Sequence, residues 1–206
     1  MSISACSQGL TPGLAGITGS LAGVSGLPGS NAGQTVNAGP LVQQLNQTML
    51  NMSIAQQHTF DAFGLKNEAE KAASNAKAYE NGNALNADVL EKTSAADAAI
   101  STYLETHKTL STESKKKMAL AMPYFAKSMV QSAGLGLQMS QAASSISSNP
   151  MSLLAGAYSP KDLLTVFVSS PKLLTQMATT TRNLTTFAST NKVDTADVDA
   201  SLKDLK

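Results

Sequence analysis

From Pro40 onward, apolar residues recur at three- and four-residue steps: Leu41, Leu45, Met49, Met52, Phe60 and Phe63, with Gln56 in the one gap. This spacing predicts an amphipathic helix of about 24 residues. Pro40 suits its first turn and Gly64 its C-terminal stop. The opposite face carries Gln43, Gln44, Asn46, Gln47, Asn51, Gln56 and Gln57, with no charge before Asp61. Amide faces of this kind often contact other protein, although a low-charge composition explains them equally well. A second pattern, Leu65 to Asn81, sets Ala69, Ala72, Ala73, Ala76 and Tyr79 on one side and stops at the turn signal Asn81-Gly82-Asn83. Asn86 or Asp88 then opens a third helix to about Leu110, with Val89, Thr93, Ala96, Ile100, Tyr103/Leu104 and His107 as its stripe. Small residues on both predict an antiparallel hairpin of the second and third helices.

The longest pattern runs from about Thr112 to Ser147, with Ser111 as N-cap and Glu113 in the first turn, paired to Lys117. Its stripe is Met118, Met122, Phe125, Met129, Ala133, Gly136, Ser140 and Ala143; Pro123 inside it predicts a kink or break near Met122. Three cap-plus-proline pairs follow, Asn149-Pro150, Ser159-Pro160 and Ser170-Pro171. Each reads as the start of a helix, ending near Ala155, Ser169 and Ser189. Asp162 stands three residues after Ser159 as a shortened capping box. Leu163, Leu164, Phe167, Leu173, Leu174, Met177, Leu184 and Phe187 supply core contacts, and burial must hold the threonine-rich turns at 179–181 and 185–186. Asp194 to Leu205 makes one more short helix, with Val198, Leu202 and Leu205 inward. No strand alternation persists. The expected fold is all-α: a single helical bundle of five to seven helices over 40–206, with a long kinked central helix.

Residues 1–39 differ in kind. Glycines punctuate them from Gly9 to Gly39, and a seven-residue repeat pairs Leu14–Ser20 with Leu21–Leu27. As a helix it would carry a glycine stripe, the close-packing surface used in membranes. Interior glycines and the bracketing Pro12 and Pro28 instead predict a flexible Gly-rich tether. As a coil, the run from Ser7 to Gly39 spans roughly 30 Å.

At the head of that tether stands Cys6, the only cysteine. Ile3-Ser4-Ala5-Cys6 resembles a bacterial lipobox: an aliphatic residue, two small residues and a modified cysteine. The resemblance implies cleavage before Cys6 and a diacylglycerol on its thiol. It also implies basic and apolar segments upstream, which the five residues before Cys6 are too few to hold. The implied partner is a membrane, reached through lipidated Cys6, and the implied location is the periplasm, on the outer membrane ahead of the inner, or secretion.

Composition narrows the function classes. Charged residues are 14%, aromatics 4%, and Trp is absent, which suits close-packed helices of small side chains better than a β-sandwich. A net charge of +1 gives no electrostatic case for nucleic acid. One cysteine permits no internal disulfide. No apolar run is long enough for a conventional membrane span. The two histidines, His58 near Asp61 and His107 near Glu105, match no metal-ligand spacing, and no nucleophile or phosphate-loop motif is present. No cofactor or metal is expected. The run Ser114-Lys115-Lys116-Lys117 reads as a solvated helix start, or as an anionic-lipid patch. Met118, Met122, Phe125 and Met129 share one stripe, read as core filling or as an apolar groove for a ligand or peptide. Ser128 to Pro160 is uncharged throughout, read as a central helix wrapped by its neighbours, or as a surface for a partner or lipid. The expected function is non-catalytic binding or scaffolding in the cell envelope, with an unknown protein partner. The alternatives are a secreted helical protein whose uncharged segments, Leu10 to Gln57 and Ser128 to Pro160, engage membranes or self-assemble, and an enzyme with a site dispersed over His58 and His107.

Overall fold

The computed structural model describes residues 36–149, 158–196, 198 and 199. The chain divides into two units, 1–32 and 33–206, and all the described residues belong to the second. Cys6, the glycine repeat, the helix expected after Pro150, and Leu202 and Leu205 lie outside the described residues.

The described residues are all-helical, with six α-helices and no strand: α1 (Ala38–Phe63), α2 (Lys66–Glu80), α3 (Ala87–Thr106), α4 (Thr112–Ser132), α5 (Leu135–Ser148) and α6 (Pro160–Thr190). A 3-10 turn, Asn83–Leu85, links α2 to α3. Helical geometry resumes at Ala196, with Val198 buried as its spacing predicts. Several ends follow from local chemistry. Gly64 closes α1 in the left-handed conformation, and Gly82 turns the chain at φ 80°. The Asn86 side chain accepts from the Asp88 N–H, and Ser111 from the Ser114 N–H, so both are true N-caps. Ser159 stands at the N-cap of α6 with Pro160 behind it, but makes no side-chain cap, so the expected capping box is not formed. α1 starts at Ala38, before Pro40.

α1 is the hub. It packs against α2 and α4 along most of its length and also touches α3 and α5; α6 packs on α5, α3 and α4. From Thr48 to Phe63 no residue of α1 is exposed. Several of its amides face protein, while Gln43 and Gln47 are exposed: Gln44 Nε2 donates to the Gln131 carbonyl at 2.7 Å, Asn51 Nδ2 to Gln131 Oε1 at 2.8 Å, and Asn46 to the Tyr79 carbonyl. A charge in those positions would lose its hydration without a counterion. α2 lies chiefly along α1, with Ala69, Ala72, Ala76 and Tyr79 of the expected side buried and Ala73 half-buried, and its contact with α3 is lesser. The expected α2–α3 hairpin is thus a secondary contact.

Neither internal proline breaks its helix. α4 runs through Pro123 without a break, although the proline removes the hydrogen bond to the Ala119 carbonyl. Met118, Met122, Phe125 and Met129 are all buried across it, and that burial holds the helix together. The chain breaks instead at Ala133-Gly134, where Gly134 takes φ 71°. The central helix expected over 112–147 is therefore α4 plus α5. The apolar register shifts at the break: Leu135, Met139, Ala142, Ala143 and Ile146 are buried, while Ala133 and Ser140 are exposed. Ser170-Pro171 starts no helix either, because α6 continues through it. The Ser170 hydroxyl donates to the Val166 carbonyl at 2.7 Å, a helix-interior bond rather than a cap. Leu163, Val166 and Phe167 before the proline and Leu173, Leu174 and Met177 after it are buried, which outweighs a proline cost of about 3 kcal/mol.

Gly134 and Gly136 make a matched test. A Cβ at Gly134 would meet only Gln138 Nε2, at 3.8 Å, so space is free and the positive φ alone is the obstacle. Gly134→Ala is expected to destabilise the fold by about 1–2 kcal/mol in urea melts. At Gly136 a Cβ would lie 3.7 Å from Pro171 Cα, ordinary contact at normal φ, so Gly136→Ala is expected to be tolerated. Equal losses from the two changes would contradict the account.

Candidate functional site

Beneath the surface, α1, α3 and α6 share a polar cluster inside an otherwise apolar core. Gln56 occupies the gap in the apolar stripe of α1 and is fully buried. Its Nε2 donates to the Thr93 carbonyl at 3.1 Å and to Asp97 Oδ1 at 2.9 Å. Thr93 Oγ1 donates to the Val89 carbonyl at 3.0 Å and lies 2.9 Å from the Tyr79 hydroxyl. A threonine hydroxyl has one hydrogen, so the phenol must be the donor in the second contact. Tyr79 is accordingly held protonated, and burial pushes its pKa well above the usual phenol range against the smaller effect of the Thr93 bond.

Asp97 is the chemically distinctive member. Burial pushes its carboxyl up to about 7, while hydrogen bonding from Gln56 and, less, from the Thr180 hydroxyl pulls the other way. Its Oδ2 has no hydrogen-bond partner of ordinary geometry, and neither do Gln56 Oε1, Ser53 Oγ or Thr181 Oγ1, all buried. The cluster is closed: Gln56, Thr93 and Asp97 have no measurable exposure, and Thr180 is 2% exposed. It can take up a proton but has no open face for a substrate.

The residues singled out from the sequence lie elsewhere. Met118, Met122, Phe125 and Met129 fill the interior, each no more than 3% exposed, as does Met139. His58 lies against the Tyr124 ring, 5.8 Å between centroids. His107 stacks on Tyr103 at 3.8 Å, and Tyr103 stacks in turn on Phe63 at 3.7 Å. The histidines thus sit in separate ring contacts, and no group of three His, Cys, Asp or Glu that could hold a metal occurs among the described residues. Glu68–Lys71 and Asp88–Lys92 are the ion pairs among the described residues, so the expected Glu113–Lys117 pair is not formed. No described helix is long and apolar enough to cross a membrane. The described part of the uncharged stretch is not wrapped on all sides: Leu137, Gln141, Ser144 and Ser147 of α5 are exposed, as is Val130 of α4; beyond the stretch, Val168 of α6 is exposed too. A surface depression of about 280 Å³ between α1 and α2 is lined by Gln57, Asp61, Lys66, Ala69, Glu70 and Ala73.

Sequence reasoning passed over Asp97. A signal existed, since Gln56 on an apolar stripe requires a buried partner, and Asp97 follows Thr93 by one helical turn on the inward side of α3. The fold and this cluster define an all-helical protein with a closed polar interior. No protein-family model, curated protein or solved structure matches the chain.

The pKa shift of Asp97 has a definite sign. The folded state holds the proton more tightly than the unfolded chain, whose carboxyl titrates near 3.8. Its contribution to stability is complete below that value, is lost as pH rises to about 7, and is level above. Within that window the slope is about 1.4 kcal/mol per pH unit at most. Urea melts from pH 4 to 8 are expected to show stability falling toward neutrality, then flattening. Stability rising steadily from pH 5 to 7 would contradict the assignment.

Proposed function

We propose that the protein is a non-catalytic binding or scaffolding protein of the bacterial cell envelope, attached to a membrane through a lipid on Cys6. The observation that carries this reading is Ile3-Ser4-Ala5-Cys6, with its lone cysteine, followed directly by the Gly-rich run to Gly39. In this reading residues 1–39 are a tether and the helices over 40–206 act as one bundle, with α4 bending at Pro123. The bundle meets its partner in the periplasm, on the outer membrane ahead of the inner. Mass spectrometry of the protein from native membranes is expected to find Cys6 diacylated at the chain's N-terminus. Cys6→Ser is expected to move the protein to the soluble fraction. An unmodified Cys6 on a chain that begins upstream of it would overturn the proposal.

A second reading rests on Val130 and Leu137, which are more than half exposed within the uncharged run Ser128 to Pro160. In it the protein is secreted and its uncharged segments engage a membrane or self-assemble. Liposome flotation separates the two readings. The anchored reading expects unlipidated protein to stay at the bottom of the gradient; flotation without any lipid on Cys6 favours the second.

A further inference from the structure

The hydrogen bonds around Asp97 and Gln56 leave a specific remainder. Gln56 uses both amide hydrogens, one on the Thr93 carbonyl and one on Asp97 Oδ1, so its Oε1 can only accept. Reversing the amide would set Oε1 against two oxygens that themselves only accept. What remains is Asp97 Oδ2 and Gln56 Oε1, both buried and both without a partner. Two acceptors cannot bond to each other. A proton on Oδ2 turns it into a donor and satisfies both atoms at once. The result is the paired ring of a carboxylic acid and a carboxamide: N–H to Oδ1, and O–H to Oε1. The second amide hydrogen stays free for Thr93, where the structure places it.

The surroundings favour the neutral acid. The polar groups that α1 and α6 bring to it, Gln56 and Thr180, carry no charge, and Arg182 of α6 is exposed. On α3 the neighbour is Thr93. From α2 comes Tyr79, whose phenol is already committed to Thr93. No cation adds to the forces acting on the carboxyl, which are burial and two neutral hydrogen-bond donors. A carboxylate there would be a buried charge held by one amide hydrogen and a threonine hydroxyl.

We propose that Gln56 and Asp97 form a proton-closed clasp between α1 and α3. With the proton in place, two hydrogen bonds lock α3 to α1 and leave no orphan oxygen between them. When the proton leaves to water, Oε1 and Oδ2 are again two buried acceptors without a donor, and α3 separates more readily together with α6, which packs on it. Acid tightens the fold and neutral pH loosens it. The clasp is independent of how the chain is anchored.

The test is native-state hydrogen exchange on the full chain at pH 5 and pH 7, corrected for intrinsic exchange. Openings that expose Asp97 are expected to be up to about a hundredfold more populated at pH 7, at tenfold per pH unit. Asp97→Asn puts an N–H where the acid has its O–H, so it keeps the ring and removes the titration. It is expected to abolish the pH difference in α3 and to match or exceed wild-type protection at pH 7. An Asp97→Asn protein that folds but keeps the wild-type pH difference, or is less protected at both pH values, overturns the clasp. Should the variant not fold, the carboxyl carbon resonance of Asp97 in the wild-type protein decides. A protonated acid at pH 5 that titrates toward neutrality supports the proposal; a carboxylate at pH 5 overturns it.

Discussion

Between Thr48 and Phe63 every side chain of α1 is buried or half-buried, and the other elements are arranged to permit it. A helix enclosed along that length admits charge only where the side chain stays half-exposed, at Asp61, because a buried ion without a partner costs several kcal/mol. The chain answers with amides and small hydroxyls. Gln44, Asn46, Asn51 and Gln56 each donate to another helix, and Thr48 and Thr59 return their hydroxyls to α1's own carbonyls. Such bonds add only about 1 kcal/mol each, yet leaving one unmade costs more than making it gains. They therefore fix which neighbour lies on which side of α1 more than they add stability.

The same priority of burial over local preference explains the two prolines. In α4 and in α6 the proline deletes a hydrogen bond, yet each helix continues because apolar residues on both sides of it are buried. At Gly134 the chain turns at positive φ, which ends α4 and resets the apolar register although Met129 before it and Leu135 after it are both buried. Cap signals read one at a time cannot weigh these cases, since the deciding term is the neighbouring helix.

Legibility in the sequence follows from this. Periodicity located α1, α2, α3 and the first half of the long pattern, and the buried stripe Met118, Met122, Phe125 and Met129 is the one its spacing predicts. Gly64, Asn86 and Ser111 end or begin helices as their side chains dictate. The register beyond Gly134 and the continuity through Pro171 were not legible, because both depend on α5 and α6 packing on each other, with Gly136 against Pro171. The polar face of α1 admitted an interior reading, but only coordinates pair Gln56 with Asp97. Cys6 rests wholly on its neighbouring letters, and the helical body neither depends on it nor replaces it as a guide to function.

The central claim is that α1 is the enclosed axis of the fold. Its amides from Thr48 to Phe63 should therefore become exchangeable only when the whole domain unfolds. Native-state hydrogen exchange with increasing denaturant tests this directly. The account predicts that these amides share the free energy and the denaturant dependence of global unfolding. Exchange of the same amides through a lower-energy local opening, while α4 or α6 stays protected, would contradict it.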